Sequence, residues 1–190
     1  MIKAIETIYD NYHFRSRLEA RWAIFFNTLR VKYEYEKEGF DIDGLWYLPD
    51  FYLPDYSCWV EIKPDSFVFG SDEKINAFAM ATKDTFIVIC GIPKLDLVRK
   101  FIYIEEDCYD LLEVERYIVH LLSYKGEYSD IEDGVFGLAR KSIMPELWLL
   151  NDDLGARSLI NLENSTDDED SYPTKYGLDN AYNTAMQARF

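Results

Sequence analysis

Residues 85–90, Thr-Phe-Ile-Val-Ile-Cys, present no polar face. A strand written this way is buried on both sides, which puts it inside a sheet covered by layers on both faces. What precedes it supplies those layers. "SCWVEIKP" at 57–64 reads as another strand, and a helix pattern lies between the two. In that helix Ser71 is the expected N-cap, Asp72 and Glu73 suit the first turn, and "KINAFAMAT" continues from Lys74. Strand, helix, strand in this order predicts a parallel pair joined by a right-handed crossover. The fold class implied is α/β.

Upstream, "FRSRLEARWAIFFNTLR" at 14–30 carries Phe14, Leu18, Trp22, Phe25, Phe26 and Leu29 at the spacing of one helical face. "KYEYEKEGFDI" at 32–42 alternates tyrosine with glutamate, as a strand with one wet face does. "LWYLPDFYLP" and "SCWVEIKP" then flank "PDYS", a four-residue loop of hairpin length. The expected order is α, β, β, β, α, β, with the three consecutive strands as a meander. Further on, "KFIYIEE" reads as a strand, "LLEVERYIVHLL" at 111–122 as an amphipathic helix, and "GLDNAYNTAMQARF" as a terminal helix. The organisation expected is one domain over 1–150, an acidic linker over 151–173 and a C-terminal helix or tail over 174–190.

A chain of 190 residues, 48% hydrophobic and 16% aromatic, supports one sizeable core. Cys58, Cys90 and Cys108 are odd in number and lack zinc-site spacing, and no apolar run reaches the length of a signal sequence or a membrane span. A soluble protein of the reducing cytoplasm is expected. The net charge of −15 speaks against a nucleic-acid ligand until its distribution is considered. Residues 1–63 hold 8 basic and 11 acidic side chains, residues 64–100 hold 5 and 5, and residues 101–190 hold 7 and 19. The N-terminal half is nearly balanced, and the acid is concentrated in runs such as "EYSDIED" and "NSTDDEDSYP".

The hairpin carries unusual charges. With Leu53 facing Cys58, antiparallel pairing sets Asp50 opposite Glu61, where side chains about 4.5–5.5 Å apart at Cβ repel unless a cation lies between them. Alternation places Trp59, Glu61 and Lys63 on one face and Val60 and Ile62 on the other. Two carboxylates and an ammonium suit Mg²⁺ or Mn²⁺ and the chemistry of a phosphodiester. Pro49 lacks an N–H for the ladder and is the residue able to shift this register.

"PD" at 49–50 followed by "EIK" at 61–63 resembles the motif of the PD-(D/E)xK nuclease superfamily. The order of elements is similar to that superfamily's core, and "FRSRLEARWAIFF" with "WVEIKP" and the closing "AYNTAMQARF" resembles a phage- and bacteria-borne branch of restriction-endonuclease-like nucleases. The resemblance covers residues 12–93 well and 94–180 hardly at all. It implies a metal-dependent DNA nuclease in which Asp50, Glu61 and the carbonyl of Ile62 hold Mg²⁺ or Mn²⁺, Glu19 completes the site, and Lys63 positions the attacking water. Glu19 lies roughly 85° from the centre of its helix's apolar stripe, at the border with the polar face. Arg15, one turn earlier, is placed either to pair with Glu19 or to touch substrate phosphate. Arg17 and Arg21, with Lys32 and Lys74, are candidates for a phosphate-binding rim.

Other residues read more plainly. Glu34, Glu36 and Glu38 resemble a wet strand face and stay outside the site. His13 and His120 form no metal set, and the aromatic residues at 46, 47, 52, 56 and 59 suit cross-strand packing better than base stacking. The competing function is a non-catalytic acidic protein on the same fold, a nucleic-acid mimic occupying a basic protein's groove. A combination of the two leaves the core to cut while the acidic C-terminal half docks a basic partner.

Overall fold

The structure is a computed structural model. It describes residues 4–68, 70–93 and 178–190, together with the strands at 100–104, 107–111, 119–124, 127–139, 146–151 and 155–158. Its elements run in the order β1 (Thr7–Tyr9), β2 (Tyr12–Phe14), α1 (Arg17–Thr28), β3 (Glu34–Tyr35), β4 (Phe40–Ile42), β5 (Leu45–Tyr47), β6 (Phe51–Leu53), β7 (Cys58–Lys63), α2 (Glu73–Ala81) and β8 (Thr85–Cys90). There follow β9 (Lys100–Ile104), β10 (Asp107–Leu111), β11 (Val119–Tyr124), β12 (Glu127–Ala139), β13 (Glu146–Asn151), β14 (Gly155–Ser158) and α3 (Asp179–Gln187).

The main sheet is mixed, with strand order β14-β13-β12-β11-β8-β7-β6-β3. β7 and β8 are parallel and α2 connects them; every other pairing in the sheet is antiparallel. All six residues of β8 are buried, as its unbroken apolar run predicts. Alternation along β7 divides two cores. Val60 and Ile62 join Phe51, Trp22, Phe25 and Phe26 beneath α1, whereas Trp59 joins Phe78, Phe86 and Val88 beneath α2. The protein is thus α/β, with helices on both faces of one mixed sheet. Among the described residues no helix is long and apolar enough to cross a membrane.

Several elements differ from the sequence reading. The first helix starts at Arg17 behind an N-cap at Ser16, and Phe14 belongs to a short hairpin made by β1 and β2. The expected long strands around Pro49 are broken: β4 and β5 form a separate hairpin, and β3, β6 and β7 make the meander. Asp72 caps α2 in place of Ser71, accepting from the N–H groups of Lys74 and Ile75. Val119–Tyr124 is a strand paired with β8, so His120 lies in the sheet and not on the expected helix. β14 and the last residue of β13, Asn151, occupy part of the expected linker; the rest of it, residues 152–154 and 159–173, lies outside the described residues.

α3 forms where a terminal helix is expected, and it packs on α1. Leu178, Ala181, Tyr182 and Ala185 are buried in the α1 core, with the Tyr182 ring 4.8 Å from that of Phe25.

Candidate active site

The hairpin register is the predicted one: Leu53 pairs with Cys58, Tyr52 with Trp59 and Phe51 with Val60. Pro54–Tyr56 form a turn of 3-10 helix and Ser57 closes it with φ +45°. Pairing then stops. Asp50, next to Pro49, falls outside β6, so its side chain does not stand opposite Glu61 as a ladder partner. Instead Asp50 Oδ2 accepts the Ile62 N–H at 2.8 Å and Oδ1 accepts from Arg15 Nη2 at 2.8 Å. The Asp50 carbonyl takes the N–H of Glu36. The Pro-Asp carboxylate is thereby tied to the middle residue of Glu-Ile-Lys.

An N–H and a C=O of one strand residue point to the same side. The Ile62 carbonyl consequently faces the edge where Asp50 sits, beyond the last β6–β7 pair. Glu61 projects to the α2 side. Its Oε2 accepts from the Tyr47 hydroxyl at 2.8 Å and its Oε1 meets Lys63 Nζ at 2.7 Å. Lys63 also approaches Asp72 Oδ2 at 3.8 Å. Gly91 braces this strand end, donating its N–H to the Lys63 carbonyl and accepting from Trp22 Nε1 at 2.9 Å. Its φ of +80° favours glycine, and a Cβ there would press on the Asp65 carboxylate.

Glu19 is buried, not at a helix border. Ser-Arg-Leu-Glu over 16–19 has capping-box spacing: Ser16 Oγ accepts the Glu19 N–H, and Glu19 folds back onto the turn. Its Oε1 takes the Ser16 hydroxyl at 2.6 Å, and its Oε2 takes the Tyr35 hydroxyl at 2.6 Å and the Arg15 N–H at 3.1 Å. Arg15 therefore meets Glu19 through its backbone and spends its guanidinium on Asp50 and on Glu36, whose Oε1 lies 2.7 Å from Nε.

Arg17 and Arg21 serve elsewhere. Arg17 donates to the Phe190 carbonyl, and Arg21 to those of Ala185, Met186 and Ala188. These two expected phosphate ligands hold the C-terminal segment. Lys32 pairs with Asp55 at 3.2 Å, and Lys74 is exposed on α2.

Burial raises the proton affinity of Asp50 well above the usual carboxylate range; Glu61 and Glu19 add to this, and the Ile62 N–H and Arg15 oppose it. Burial raises Glu61 as well, against Lys63 and Tyr47. Burial works against the Lys63 ammonium, but Glu61, Asp50 and Asp72 outweigh it and hold its pKa up.

Among the described residues no three His, Cys, Asp or Glu side chains are grouped to hold a metal ion. Every carboxylate oxygen of Asp50, Glu61 and Glu19 has a hydrogen-bond or ion-pair partner. Donor type and charge nevertheless suit a hard divalent cation. The connected group comprises Glu19, Glu36, Asp50, Glu61 and Asp72 against Arg15 and Lys63, so five carboxylates face two cations. Asp50, Glu61 and Ile62 are neighbours at the end of β7, with Glu61 acting electrostatically on Asp50 and the Ile62 N–H bonded to it; both Glu19 oxygens are engaged at the start of α1.

Glu36, expected on a wet strand face outside the site, pairs with Arg15, and Tyr47, expected only to pack, bonds Glu61; Tyr35 and Ser16, to which the sequence reading gave no role here, both bond Glu19. Only Ser16 carried a local signal, the Ser-x-x-Glu spacing. No protein-family model, no curated protein and no solved structure matches the chain.

Proposed function

We propose that the chain is a divalent-cation-dependent nuclease that hydrolyses DNA phosphodiester bonds on a restriction-endonuclease-like core. The observation that carries this reading is the bond from the Ile62 N–H to Asp50, which joins the two halves of the Pro-Asp and Glu-Ile-Lys pattern at the open end of β7. A buried carboxylate pair whose ionisation is opposed by burial has no evident use in stability, and such pairs are characteristic of functional sites.

In this reading Asp50, Glu61 and the Ile62 carbonyl hold Mg²⁺ or Mn²⁺. When bound, the cation supplies Lewis-acid polarisation of a phosphate oxygen and lowers the pKa of a coordinated water. Lys63, kept charged by Glu61, orients that water and offsets charge developing on the phosphate. Tyr47 fixes the Glu61 rotamer. DNA as the substrate, in preference to RNA, rests on the sequence resemblance.

Linear, circular, single-stranded and branched DNA, incubated with Mg²⁺ or Mn²⁺, test the proposal. Wild type should cut at least one form. Lys63→Ala and Glu61→Ala should lose at least about 100-fold in rate while keeping their circular dichroism. Equal cleavage by wild type and both variants would sink the assignment.

One observation favours the acidic-binder reading: Arg17 and Arg21 are committed to the C-terminal segment, which thins the cationic surface of a chain already at −15. A protein of this kind would bind a basic partner, cut no DNA and tolerate Lys63→Ala.

A further inference from the structure

We infer that Arg15 is a built-in competitor for the cation site: its guanidinium and a divalent cation contend for Oδ1 of Asp50, and cation binding turns Arg15 outward toward substrate phosphate. This deepens the proposed nuclease reading and rests on it. The two oxygens of Asp50 are unequal. Oδ2 is held by a backbone N–H whose position is fixed by the pairing of β7 with β8, whereas Oδ1 is held by a half-exposed side chain free to turn away. A cation entering beside the Ile62 carbonyl therefore meets Arg15 as the displaceable partner.

The geometry of Arg15 suits a group that exchanges partners. Its side chain is 55% exposed, so it stands at the mouth of the site while its Nη2 reaches a nearly buried carboxylate. Its second anchor, Glu36, follows β3 with φ +46°, a left-handed conformation uncommon for glutamate. That kink turns the Glu36 carboxylate toward Arg15 Nε. A guanidinium released from Asp50 remains tethered by Glu36 and keeps free donors for a phosphate oxygen, for which its planar fork is well matched. One residue thus neutralises the carboxylates before the cation arrives and contacts the substrate afterwards.

The full chain tests this by calorimetric titration with Mn²⁺ of wild type, Arg15→Gln and Asp50→Asn. Lys83→Gln, at the opposite end of β8, serves as a control with the same charge loss. Arg15→Gln is expected to bind Mn²⁺ roughly tenfold more tightly than wild type, since a charge-assisted hydrogen bond no longer has to be broken. Lys83→Gln should stay within about twofold and Asp50→Asn should lose binding. A disrupted site would weaken Mn²⁺ binding, so a gain separates competition from a structural role. DNA affinity, measured in Ca²⁺, should fall in Arg15→Gln. Unchanged or weaker Mn²⁺ binding in Arg15→Gln, an equal gain in Lys83→Gln, or no Mn²⁺ binding by any form would overturn the inference. Tighter Mn²⁺ binding with undiminished DNA affinity would overturn its phosphate half. Tighter Mn²⁺ binding and weaker DNA affinity without cleavage by wild type would leave the competition standing and remove the nuclease reading.

Discussion

At the scale of single residues, the site opposes the stability of its own surroundings. Asp50 is 3% exposed, and Glu61 and Glu19 share its vicinity, so its folded-state pKa lies above the unfolded one. A raised carboxyl pKa means that the stabilising contribution is complete below the ordinary carboxylate range, about pH 4, and is lost as pH rises through the raised value. In a chelator, Asp50→Asn should therefore melt at a higher temperature than wild type at pH 7, and the gap should close as pH is lowered toward 4. Thermal melts across that range check it; a wild type more stable than the variant at pH 7 would show that the Arg15 and Ile62 bonds outweigh the repulsion. The proximity of Glu61 and Lys63 was legible as spacing, because strand alternation puts them on one face without any tertiary information; the end of pairing at Phe51, which takes Asp50 off the ladder, was not. Nor were Tyr35 and Tyr47. Each lies in an aromatic-rich strand where packing explains the ring, and only the folded chain shows which acid its hydroxyl reaches.

Among the elements, local signals and tertiary demands part company in an instructive way. α1, α2, the hairpin and β8 follow from periodicity and caps, and the structure moves their ends by a few residues at most. Val119–Leu122, expected as the end of a helix, lie in a strand because a short apolar run fits either period, and the open edge of β8 requires a hydrogen-bonded partner that β11 provides; residues 112–118 of that expected helix lie outside the described residues. The C-terminal helix was visible in sequence, but its attachment was not, since Arg17 and Arg21 read as surface cations until their carbonyl partners are known. Arg21→Ala should cost about 1.5–3 kcal/mol, the range for hydrogen bonds to a charged group, and Ser16→Ala about 1 kcal/mol through loss of the cap on α1. Urea midpoints measure both. Ser16→Ala has a second consequence: Glu19 loses the donor to Oε1, so Mn²⁺ affinity should change in this variant and stay constant in Arg21→Ala. Equal Mn²⁺ affinity in the two would separate Glu19 from the cation.

For the whole molecule, the question is how a chain of net charge −15 engages a polyanion. Binding to duplex DNA releases condensed counterions, and log K falls with log salt at a slope near −0.9 per phosphate contacted. Most of the cations expected near the site are committed: Arg17 and Arg21 hold the C-terminal segment, Lys32 holds Asp55, and Lys63 is paired within the site. Of the cations expected at the phosphate-binding rim, Arg15, once freed from Asp50, and exposed Lys74 are the ones that remain. The slope measured in Ca²⁺ should therefore be shallow, roughly −2 to −3 if the cation itself bridges one phosphate, where a groove-lining protein with many phosphate contacts shows a far steeper one. A shallow slope would mean that affinity resides in the cation and the reacting phosphate, and that the acidic surface excludes long duplex contacts and favours ends or distorted sites. A steep slope would mean that basic groups beyond the expected rim make further phosphate contacts, with exposed Arg30, Lys83 and Arg189 as the described residues to substitute first.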